Sequence, residues 1–377
     1  MSSIRTHLAV AATLAAITLC VPDPVAAGAA GGGRAVTVPP GVTAGIAVYD
    51  RQTGTFTEQL HAHTPFRSAS VVKLLIALDH LWDRPVATLP PEDRERLGIM
   101  LRSSDDDAAS HYWTTDGGSA IVRRMITRLG LGDTAPPPAA HPGYWGYTAL
   151  SAADTVTIYR HVLEAAPAAV HAFVMDNLRA ATPCGTDGFD QSFGIAAAFD
   201  RPRAVKQGWS GFTSDGCADD SRLSVRRAGT AGVDLRRGAL HTTGTVGAGD
   251  RSIVAVFTLH PDGTPYGKAY SDLSRLTRSL NVPGATRSSG SWFGTWGPAL
   301  QVRAAATTDS AVLTTLPDGV DVRVGCQHRG EKLTVPPYTN DWWSYLPAYG
   351  GYVSNIYVTC PGNRLPDVPE CTDGPHA

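Results

Sequence analysis

Lysine is scarce in this chain of 377 residues: it supplies four of the 32 basic residues, and arginine supplies the rest. A composition with this bias keeps lysine mainly where arginine cannot replace it. The guanidinium of arginine stays protonated in proteins, whereas burial and neighbouring cations can lower the pKa of a lysine amine until it acts as a base. Two of the four lysines, Lys73 and Lys206, lie in short motifs and are therefore the first candidates for a chemical role.

The chain also lacks an excess of charge of either sign. Its 32 basic residues are matched by 34 acidic ones, which removes the electrostatic basis for binding nucleic acid or an anionic membrane surface. Neither a C-x-x-C nor an H-E-x-x-H motif occurs, so we expect neither a metal site nor a cofactor. The length and the 43% hydrophobic content are sufficient for two domains with substantial cores.

Long apolar runs are absent except near the start. Arg5, the apolar run 8–21 and the small residues 25–27 predict a secretory signal peptide over residues 1–27. The run is too short to span a bilayer, and no later segment is longer and equally apolar, so no membrane span is expected. Lipid attachment at Cys20 is disfavoured because Leu19 stands where a small residue is expected. We expect a secreted, extracellular protein that associates with the cell wall.

Cysteines are few, and an exported chain can use them in disulfides. Cys20 would leave with the signal peptide, which leaves five. Cys184 and Cys217 flank the Lys206 segment, and a bond between them would contribute about 3–4 kcal/mol by loop entropy. Cys326 could pair with Cys360, which leaves Cys371 over, or Cys360 could pair with Cys371. The sequence does not decide between these two pairings.

Local patterns predict the secondary structure up to residue 284. From Ser70 to Trp82 the residues are apolar nearly all round, which is typical of an interior helix. Ser104 is predicted to begin a second helix with acids in its first turn, and Ser119 and Ser151 are predicted N-caps. The other predicted elements are a hairpin (42–49 and 55–60), helices at 119–129, 151–163, 168–181 and 270–280, and strands at 203–209, 239–246 and 252–259.

The composition of the chain changes after Pro283. Residues 286–294 are rich in serine and glycine, and short β-like segments follow at 300–303, 311–316, 320–325, 342–346 and 351–358. This spacing predicts a small all-β barrel. The predicted division of the chain is a signal peptide (1–27), a linker (28–40), a main domain (41–284), a second linker (285–296), a small β domain (297–361) and a tail (362–377).

Ser70 and Lys73 form an S-x-x-K motif at the start of the predicted interior helix. A serine in the first helical turn has its backbone N–H among donors that lack an intrahelical partner, so an oxyanion could be held beside it. A lysine three residues later returns to the same helix face, where a neutral amine could accept the serine proton. The buried context favours this interpretation over a chance match.

Two further motifs follow, each with a structural explanation when taken alone. Ser104-Asp105-Asp106 reads as an N-cap with acids that favour the helix dipole. Lys206-Gln207-Gly208 could be an exposed strand lysine beside a glycine bulge. The functional interpretation depends on all three motifs together.

In this order the three motifs resemble the signature S-x-x-K, S-D-N and K-T-G of the penicillin-binding protein and serine β-lactamase superfamily. The segments 44–50 (AGIAVYD), 65–73 (PFRSASVVK) and 100–109 (MLRSSDDDAA), together with Thr53-Gly54, look like the corresponding parts of class A β-lactamases. The resemblance covers residues 41–282. It implies an α+β fold, in which an antiparallel sheet is flanked by helices and a helical subdomain, with the site in the cleft between them.

The resemblance also implies a role for each matching residue. Ser70 would be the acylated nucleophile, and Lys73 its base or proton shuttle. Ser104 would bridge proton transfer across the cleft, and Lys206 would anchor a substrate carboxylate. The backbone N–H groups of Ser70 and Trp209 would form the oxyanion hole. The implied substrate-binding residues are Asp106, Gln207, Gly208 and Trp209.

Three departures from the family pattern bear on activity. Asp106 stands where the family has asparagine, and Gln207 replaces a hydroxyl residue. No E-x-x-L-N motif lies between the second and third motifs; residues 141–147 (HPGYWGY) fill that stretch. Without that glutamate, nothing evident activates water against an acyl-enzyme, so fast β-lactam hydrolysis is not expected. An aromatic wall for the substrate and ordinary core packing remain open for Tyr144, Trp145 and Trp209.

Residues 297–360 resemble a bacterial SH3-like domain. The matching segments are 300–303, the turn 316–319 and 350–353. Such modules often bind cell-wall peptides, so Trp342, Trp343 and Tyr352 could line a groove. Alternatively, these aromatic side chains fill the interior of a small barrel.

The sequence therefore predicts an exported serine hydrolase that forms an acyl-enzyme at Ser70. Its expected substrate is a peptidoglycan-derived peptide or a β-lactam, and the SH3-like domain would bind the cell wall. The alternatives are a true β-lactamase and a binding protein that keeps the fold without turnover. Asp106 and Gln207 favour the binding protein, whereas Ser70, Lys73 and Lys206 speak against it.

Overall fold

The computed structural model describes residues 36–213, 216–217 and 233–372. The predicted signal peptide (1–27), residues 28–35 of the predicted linker and residues 373–377 of the predicted tail lie outside the described residues. None of the helices in the described part combines the length and the apolar character needed to cross a bilayer.

The described residues form a mixed structure of helices and sheets. The helices are α1 (Lys73–Leu81), α2 (Pro91–Arg102), α3 (Asp106–Thr115), α4 (Ser119–Leu129), α5 (Ala152–Glu164), α6 (Ala168–Arg179), α7 (Ile195–Ala198) and α8 (Tyr266–Ser279). The strands are β1 (Thr43–Asp50), β2 (Thr55–Leu60), β3 (Phe66–Arg67), β4 (Ala149–Leu150), β5 (Arg203–Ser210), β6 (Gly238–Val246), β7 (Ser252–His260), β8 (Ser291–Gly294), β9 (Gln301–Arg303), β10 (Val312–Thr315), β11 (Asp321–Val324), β12 (Cys326–Val335), β13 (Tyr338–Leu346) and β14 (Gly351–Ser354).

The central sheet is antiparallel, with the strand order β2-β1-β7-β6-β5. Successive side chains of a strand point to opposite faces, and here both faces are covered. Ala47 and Phe257 belong to a core shared with helices α1 to α6, whereas Val48 and Val256 belong to a core shared with α8. The five strands predicted for this domain are all present to within one residue.

The helix that carries the first motif is an interior helix, as predicted. A 3₁₀ turn, Ala69–Val72, leads into α1, and every residue of α1 is buried. The prediction that Ser104 begins the next helix is wrong. Asp105 is the N-cap of α3, because its carboxylate accepts a hydrogen bond from the Ala108 N–H. Ser104 is thereby left outside the helix, with its hydroxyl free for other contacts.

Other boundaries also differ from the predictions. Gly118 precedes α4 in place of the predicted cap Ser119, although Gly130 ends this helix in the left-handed conformation, as expected. Helix α8 starts at Tyr266, four positions before its predicted start, because Pro265 is a favourable residue just before a helix. Helix α2 was not predicted, since its sequence is largely polar; Pro91 at its first position was the available signal.

The C-terminal part is a small β domain rather than the predicted closed barrel. Among the described residues, its strands form one sheet in the order β10-β9-β14-β13-β12 and a separate pair, β11 with β8. Strand β12 was not predicted because four of its ten residues are exposed and four more are only partly buried. Trp342 and Trp343 are buried, and the Trp343 indole donates to the Glu331 carbonyl at 2.9 Å. Both tryptophans therefore fill the interior and do not line a groove.

The disulfides confirm one predicted pairing and correct the other. Cys184 and Cys217 are bonded. Cys326 pairs with Cys371, which joins the predicted tail to the β domain, and Cys360 remains a free thiol. Neither proposed partner of Cys360 was right.

The β domain packs directly on the main domain. Ser271 of α8 accepts a hydrogen bond from the Asp321 N–H at 2.8 Å, and the Tyr349 hydroxyl donates to the buried Asp190 carboxylate at 2.8 Å. Apolar side chains of α8 and of the β domain form one continuous core, which includes Tyr266, Tyr270, Leu273, Val302, Val322 and Val353.

Candidate active site

The turn that carries Ser70 lies against strand β5, and Gly208 makes this close approach possible. A Cβ atom at position 208 would lie 3.0 Å from Val71 Cγ2, 3.1 Å from the Ser68 carbonyl oxygen and 3.3 Å from the Ser70 nitrogen. Only glycine leaves room for the strand and the turn to touch at this point. The backbone of the third motif is therefore held beside the backbone of the first.

Lys73 is fully buried at the centre of a cluster of oxygen atoms. Its Nζ lies 2.9 Å from Ser70 Oγ, 2.6 Å from Asp106 Oδ1, 2.5 Å from the Ser104 carbonyl oxygen and 3.3 Å from Ser104 Oγ. A protonated amine has three hydrogens to donate, and four oxygens face this one. Lys73 can therefore exchange partners, including the hydroxyl of Ser70, without leaving its position.

Ser104 presents two oxygens to the same amine because of its backbone conformation. Its φ is 55°, in the left-handed region that few residues other than glycine adopt. Non-glycine residues held in this region are concentrated at functional sites. In this conformation the carbonyl and the hydroxyl of Ser104 both contact Lys73.

Lys206 reaches the same hydroxyl from the opposite side. Its Nζ lies 2.7 Å from Ser104 Oγ and 3.1 Å from the Gln207 carbonyl oxygen. Burial, together with the nearby charge of Lys73, sets the pKa of the Lys206 amine well below its ordinary value. The Thr243 hydroxyl donates to the Lys206 carbonyl at 2.8 Å and holds the strand in place. One serine hydroxyl thus lies between two buried amines.

Trp145 covers the amine of Lys73. Its ring centroid is 4.7 Å from Lys73 Nζ, within cation–π range, and its indole N–H donates to Ser110 Oγ at 3.2 Å. Trp145 begins the 3₁₀ turn Trp145–Tyr147, which belongs to the segment 141–147. The stretch of sequence that lacks an E-x-x-L-N motif thus brings an indole to Lys73.

The side chain of Gln207 is committed to the fold. Its amide nitrogen donates to the carbonyl oxygens of Gln191 at 3.1 Å and Phe193 at 2.7 Å. Both N–H bonds are therefore used to hold the loop before α7. The remaining amide oxygen, Oε1, is buried and has no partner in the described structure.

Trp209 brings a second acid to the cleft. Its indole N–H donates to Asp187 Oδ2 at 2.8 Å, and its ring packs on Phe189. Burial raises the pKa of the Asp187 carboxyl, and the negative charge of Asp106 raises it further, whereas the charge of Lys73 lowers it. Asp187 therefore shares the electrostatic environment of the two lysines.

The structure thus brings Ser70, Lys73, Ser104 and Lys206 into one hydrogen-bonded cluster. Of the residues predicted to bind substrate, Asp106 contacts this cluster, and Gly208 and Trp209 line its edge on β5; Gln207 directs its side chain elsewhere. Sequence reasoning missed Asp187, which no motif marks, and it did not anticipate the contact of Trp145 with Lys73.

Solved structures similar to this chain include a class A β-lactamase and PBP-A. A class A β-lactamase from Mycobacterium abscessus is 16% identical, with a TM-score of 0.45, over 63% of this chain and 92% of that one. A structure of PBP-A is 14% identical, with a TM-score of 0.46, over 64% of this chain and 90% of that one. No family model matches the chain.

Particular relatives appear among curated proteins. The proteins named "Putative lipoprotein LppW" from Mycobacterium bovis and Mycobacterium tuberculosis are each 41% identical to this chain over 175 residues. The match covers 45% of this chain and 54% of each relative. The chain thus spans about half the length of the curated relatives it matches.

Proposed function

We propose that this protein is a serine hydrolase that transfers an acyl group from a peptide or β-lactam carbonyl to Ser70. The observation that carries the proposal is the continuous contact from Ser70 Oγ to Lys73 Nζ at 2.9 Å, and through Ser104 Oγ to Lys206 Nζ at 2.7 Å. A nucleophile within hydrogen-bond reach of a base that is itself oriented by a third group is the usual arrangement for covalent catalysis.

In the acylation step, Ser70 Oγ attacks the carbonyl carbon and its proton passes to Lys73. The carbon–nitrogen bond of the substrate then breaks, and the leaving nitrogen takes a proton from the same cluster. The products are an ester on Ser70 and a free amine. The backbone N–H groups of Ser70 and Trp209 would stabilise the oxyanion, which fits the close approach of β5 at Gly208.

The second lysine supplies the capacity to accept protons. Because the pKa of Lys206 is well below its ordinary value, this amine is neutral more often than a typical lysine. The hydroxyl of Ser104 contacts both amines and gives a path by which a proton can pass between Lys73 and a neutral Lys206. The three side chains then act as one proton relay.

Hydrolysis of the ester is expected to be slow. Water must be activated to attack the Ser70 ester, and Trp145 covers Lys73 on the side of the segment 141–147. The proposed natural substrate is therefore a cell-wall peptide, for which slow or specialised deacylation suffices. A true β-lactamase would instead turn over many lactam molecules per enzyme.

The test is covalent labelling of Ser70. The purified protein is incubated with a fluorophosphonate, and separately with a β-lactam, and its intact mass is measured. We expect one fluorophosphonate adduct on the wild type, mapped to the peptide that contains residue 70, and none on Ser70→Ala. Absence of a fluorophosphonate adduct on the wild type would favour the binding protein, in which the ion pair of Lys73 with Asp106 silences the site.

Nitrocefin separates the remaining alternative. Adduct formation without measurable nitrocefin turnover fits the proposed enzyme. Sustained turnover that Ser70→Ala removes would instead identify a β-lactamase.

We also propose that the protein is exported and that its SH3-like β domain contacts the cell wall. The relatives named as lipoproteins support an envelope location. On the β domain, Tyr338 is 58% exposed beside Trp296, with ring centroids 5.8 Å apart, and offers an aromatic surface for a wall peptide. Cosedimentation with insoluble peptidoglycan tests the contact with the cell wall: Tyr338→Ala should lower the bound fraction.

Cell fractionation of Cys20→Ala tests how the protein is exported. The distribution of a secreted protein between the fractions stays unchanged in this variant, whereas a lipid-anchored protein leaves the membrane fraction.

A further inference from the structure

We propose that the cleft selects a substrate whose group beside Lys206 carries no negative charge and donates hydrogen bonds, as a carboxamide or a protonated amine does. This inference rests on the proposed function, because it concerns the substrate of the same site. It departs from the family resemblance, which implies that Lys206 anchors a carboxylate.

The cleft already holds two acidic side chains beside its two lysines. Asp106 Oδ1 lies 2.6 Å from Lys73 Nζ, and the Asp106 side chain is 57% exposed, so a substrate would meet its carboxylate. Asp187 adds a second carboxylate on the β5 side, where Trp209 holds it. A substrate carboxylate would add a third acidic group next to these two.

Most of the side-chain hydrogen-bond donors near Lys206 have partners inside the protein. Lys206 Nζ contacts Ser104 Oγ and the Gln207 carbonyl oxygen, and both N–H bonds of the Gln207 amide hold backbone carbonyls. The Trp209 indole N–H is bound to Asp187. Arg67, three positions before Ser70, is buried and donates to the carbonyl oxygens of Asp234, Ser210 and Arg237. These side chains therefore leave few donors for a carboxylate: the third N–H of a protonated Lys206 and Arg67 Nε, which is buried without a partner among the described residues.

One acceptor, by contrast, is open to a substrate. The carboxylate of Asp106, which already contacts Lys73, is more than half exposed to solvent. An exposed carboxylate at this place favours a ligand group that brings hydrogen-bond donors. A carboxamide or an ammonium group brings N–H donors, whereas a carboxylate brings only acceptors.

Three matched thioesters test the inference. They share one N-acylated aminoacyl group and differ in the leaving thiol, which is mercaptoacetate, mercaptoacetamide or 2-(dimethylamino)ethanethiol, whose protonated tertiary amine donates a hydrogen bond and forms no amide by S-to-N acyl transfer. Acylation of Ser70 is monitored through the release of the thiol. The second-order rate constants of the three thioesters are compared at low ionic strength. We expect the carboxamide or the ammonium thioester to react at least tenfold faster than the carboxylate. Which of the two is faster tells a neutral substrate from a cationic one.

Asp106→Asn should shift the preference about tenfold toward the carboxylate, because the variant removes one of the two negative charges. Asp107→Asn is the matched control: this neighbouring acid on α3 is exposed, and its loss should leave the ratio unchanged. If Asp106→Asn does not fold, the wild-type series alone decides.

Fluorophosphonate labelling, which needs no carboxylate, runs in parallel. A labelled protein that reacts equally with all three thioesters, or fastest with the carboxylate, overturns the specificity inference and leaves the hydrolase intact. A protein that neither the fluorophosphonate nor any thioester labels overturns both.

Discussion

The cleft and the C-terminal β domain both bury polar side chains, but of different kinds. The β domain buries amides. Gln327 donates to the carbonyl oxygens of Leu365 and Val368, while its own amide oxygen accepts from the Leu365 N–H and from Asn355. Both the nitrogen and the oxygen of the Gln327 amide therefore have hydrogen-bond partners, and none of these groups is charged. Such a network fixes one arrangement of the chain and holds residues 362–372 against the sheet.

The cleft buries amines that share partners. Lys73 has more acceptors than protons, Ser104 serves two lysines at once, and Lys206 has a lowered pKa. Burying ionisable groups is costly, and perturbed ionisable groups in a cleft are concentrated at functional sites. Burial of polar atoms alone therefore does not indicate a functional site. Buried ionisable groups that share or exchange their hydrogen-bond partners are the better indicator.

Lys73→Arg should produce the largest loss. Arginine keeps the positive charge but cannot release a proton, so fluorophosphonate labelling of Ser70 should fall by about 10²–10⁴-fold. Circular dichroism would verify that the variant is folded. Lys332→Arg, at an exposed position of the β domain, is the matched control and should label normally. Retained labelling in Lys73→Arg would remove Lys73 from the role of base.

The rate of labelling should rise with pH and level off below the usual range of a lysine. Raising the pH deprotonates Lys206, whose pKa is lowered by burial and by Lys73, and the neutral amine accepts the relayed proton. Lys206→Met should lose this inflection, whereas Lys268→Met, on the exposed surface of α8, should keep it.

Lys206 also links pH to stability. Because its pKa in the folded state is lower than in the unfolded state, the unfolded chain binds the extra proton between the two values. The contribution of this group to the free energy of unfolding is complete above the unfolded pKa and declines as the pH falls toward the folded one. Lys206→Met should flatten this part of the stability profile; an unchanged profile would contradict the lowered pKa.

Gly208→Ala should impair both stability and labelling. The added methyl group would press on Val71 and on the Ser68 carbonyl at 3.0 and 3.1 Å, and overpacking of this kind costs about 1–3 kcal/mol. Displacement of β5 from the Ser70 turn should also slow labelling by about tenfold. Gly132→Ala, where an added Cβ meets nothing within 4 Å, should change neither quantity.

Gln327→Ala should affect stability alone. Removing the amide leaves backbone groups of Leu365 and Val368 without partners, at a cost of about 1–3 kcal/mol. Thermal unfolding should register this loss while the labelling rate of Ser70 stays at the wild-type value. A parallel fall in labelling would mean that the amide network shapes the cleft as well.

Much of the main domain could be predicted from local patterns. The apolar run after Ser70 specified an interior helix, and a three-residue spacing places Lys73 on the face of Ser70 in any helix. Alternating residues predicted the central strands because side chains of a strand alternate between faces. Periodicity could not predict that Ser104 and Lys206 contact this helix. The order of the three motifs in the sequence suggested that contact.

The errors came from choices that depend on tertiary structure. Ser104 and Asp105 can both cap a helix, and the contacts of Ser104 with the two lysines are visible only once the chain is folded. Asp187 lies in a loop, and no periodic pattern of the sequence could predict that it lies near Asp106. Two cysteines, Cys360 and Cys371, follow Cys326 in the chain, and the packing of residues 362–372 on Gln327 determines that Cys371 is the near one.

The shared core between α8 and the β domain has a practical consequence for dissecting this protein. Tyr266, Tyr270 and Leu273 contribute to an apolar surface that the β domain covers, and Asp190, on the loop that follows Asp187, receives its hydrogen bond from Tyr349. A truncation near residue 285 would remove that cover and expose an aromatic surface beside the loop that carries Asp187 and Asp190. We therefore expect residues 1–285 expressed alone to aggregate. Labelling and stability should be measured on the chain that includes the β domain.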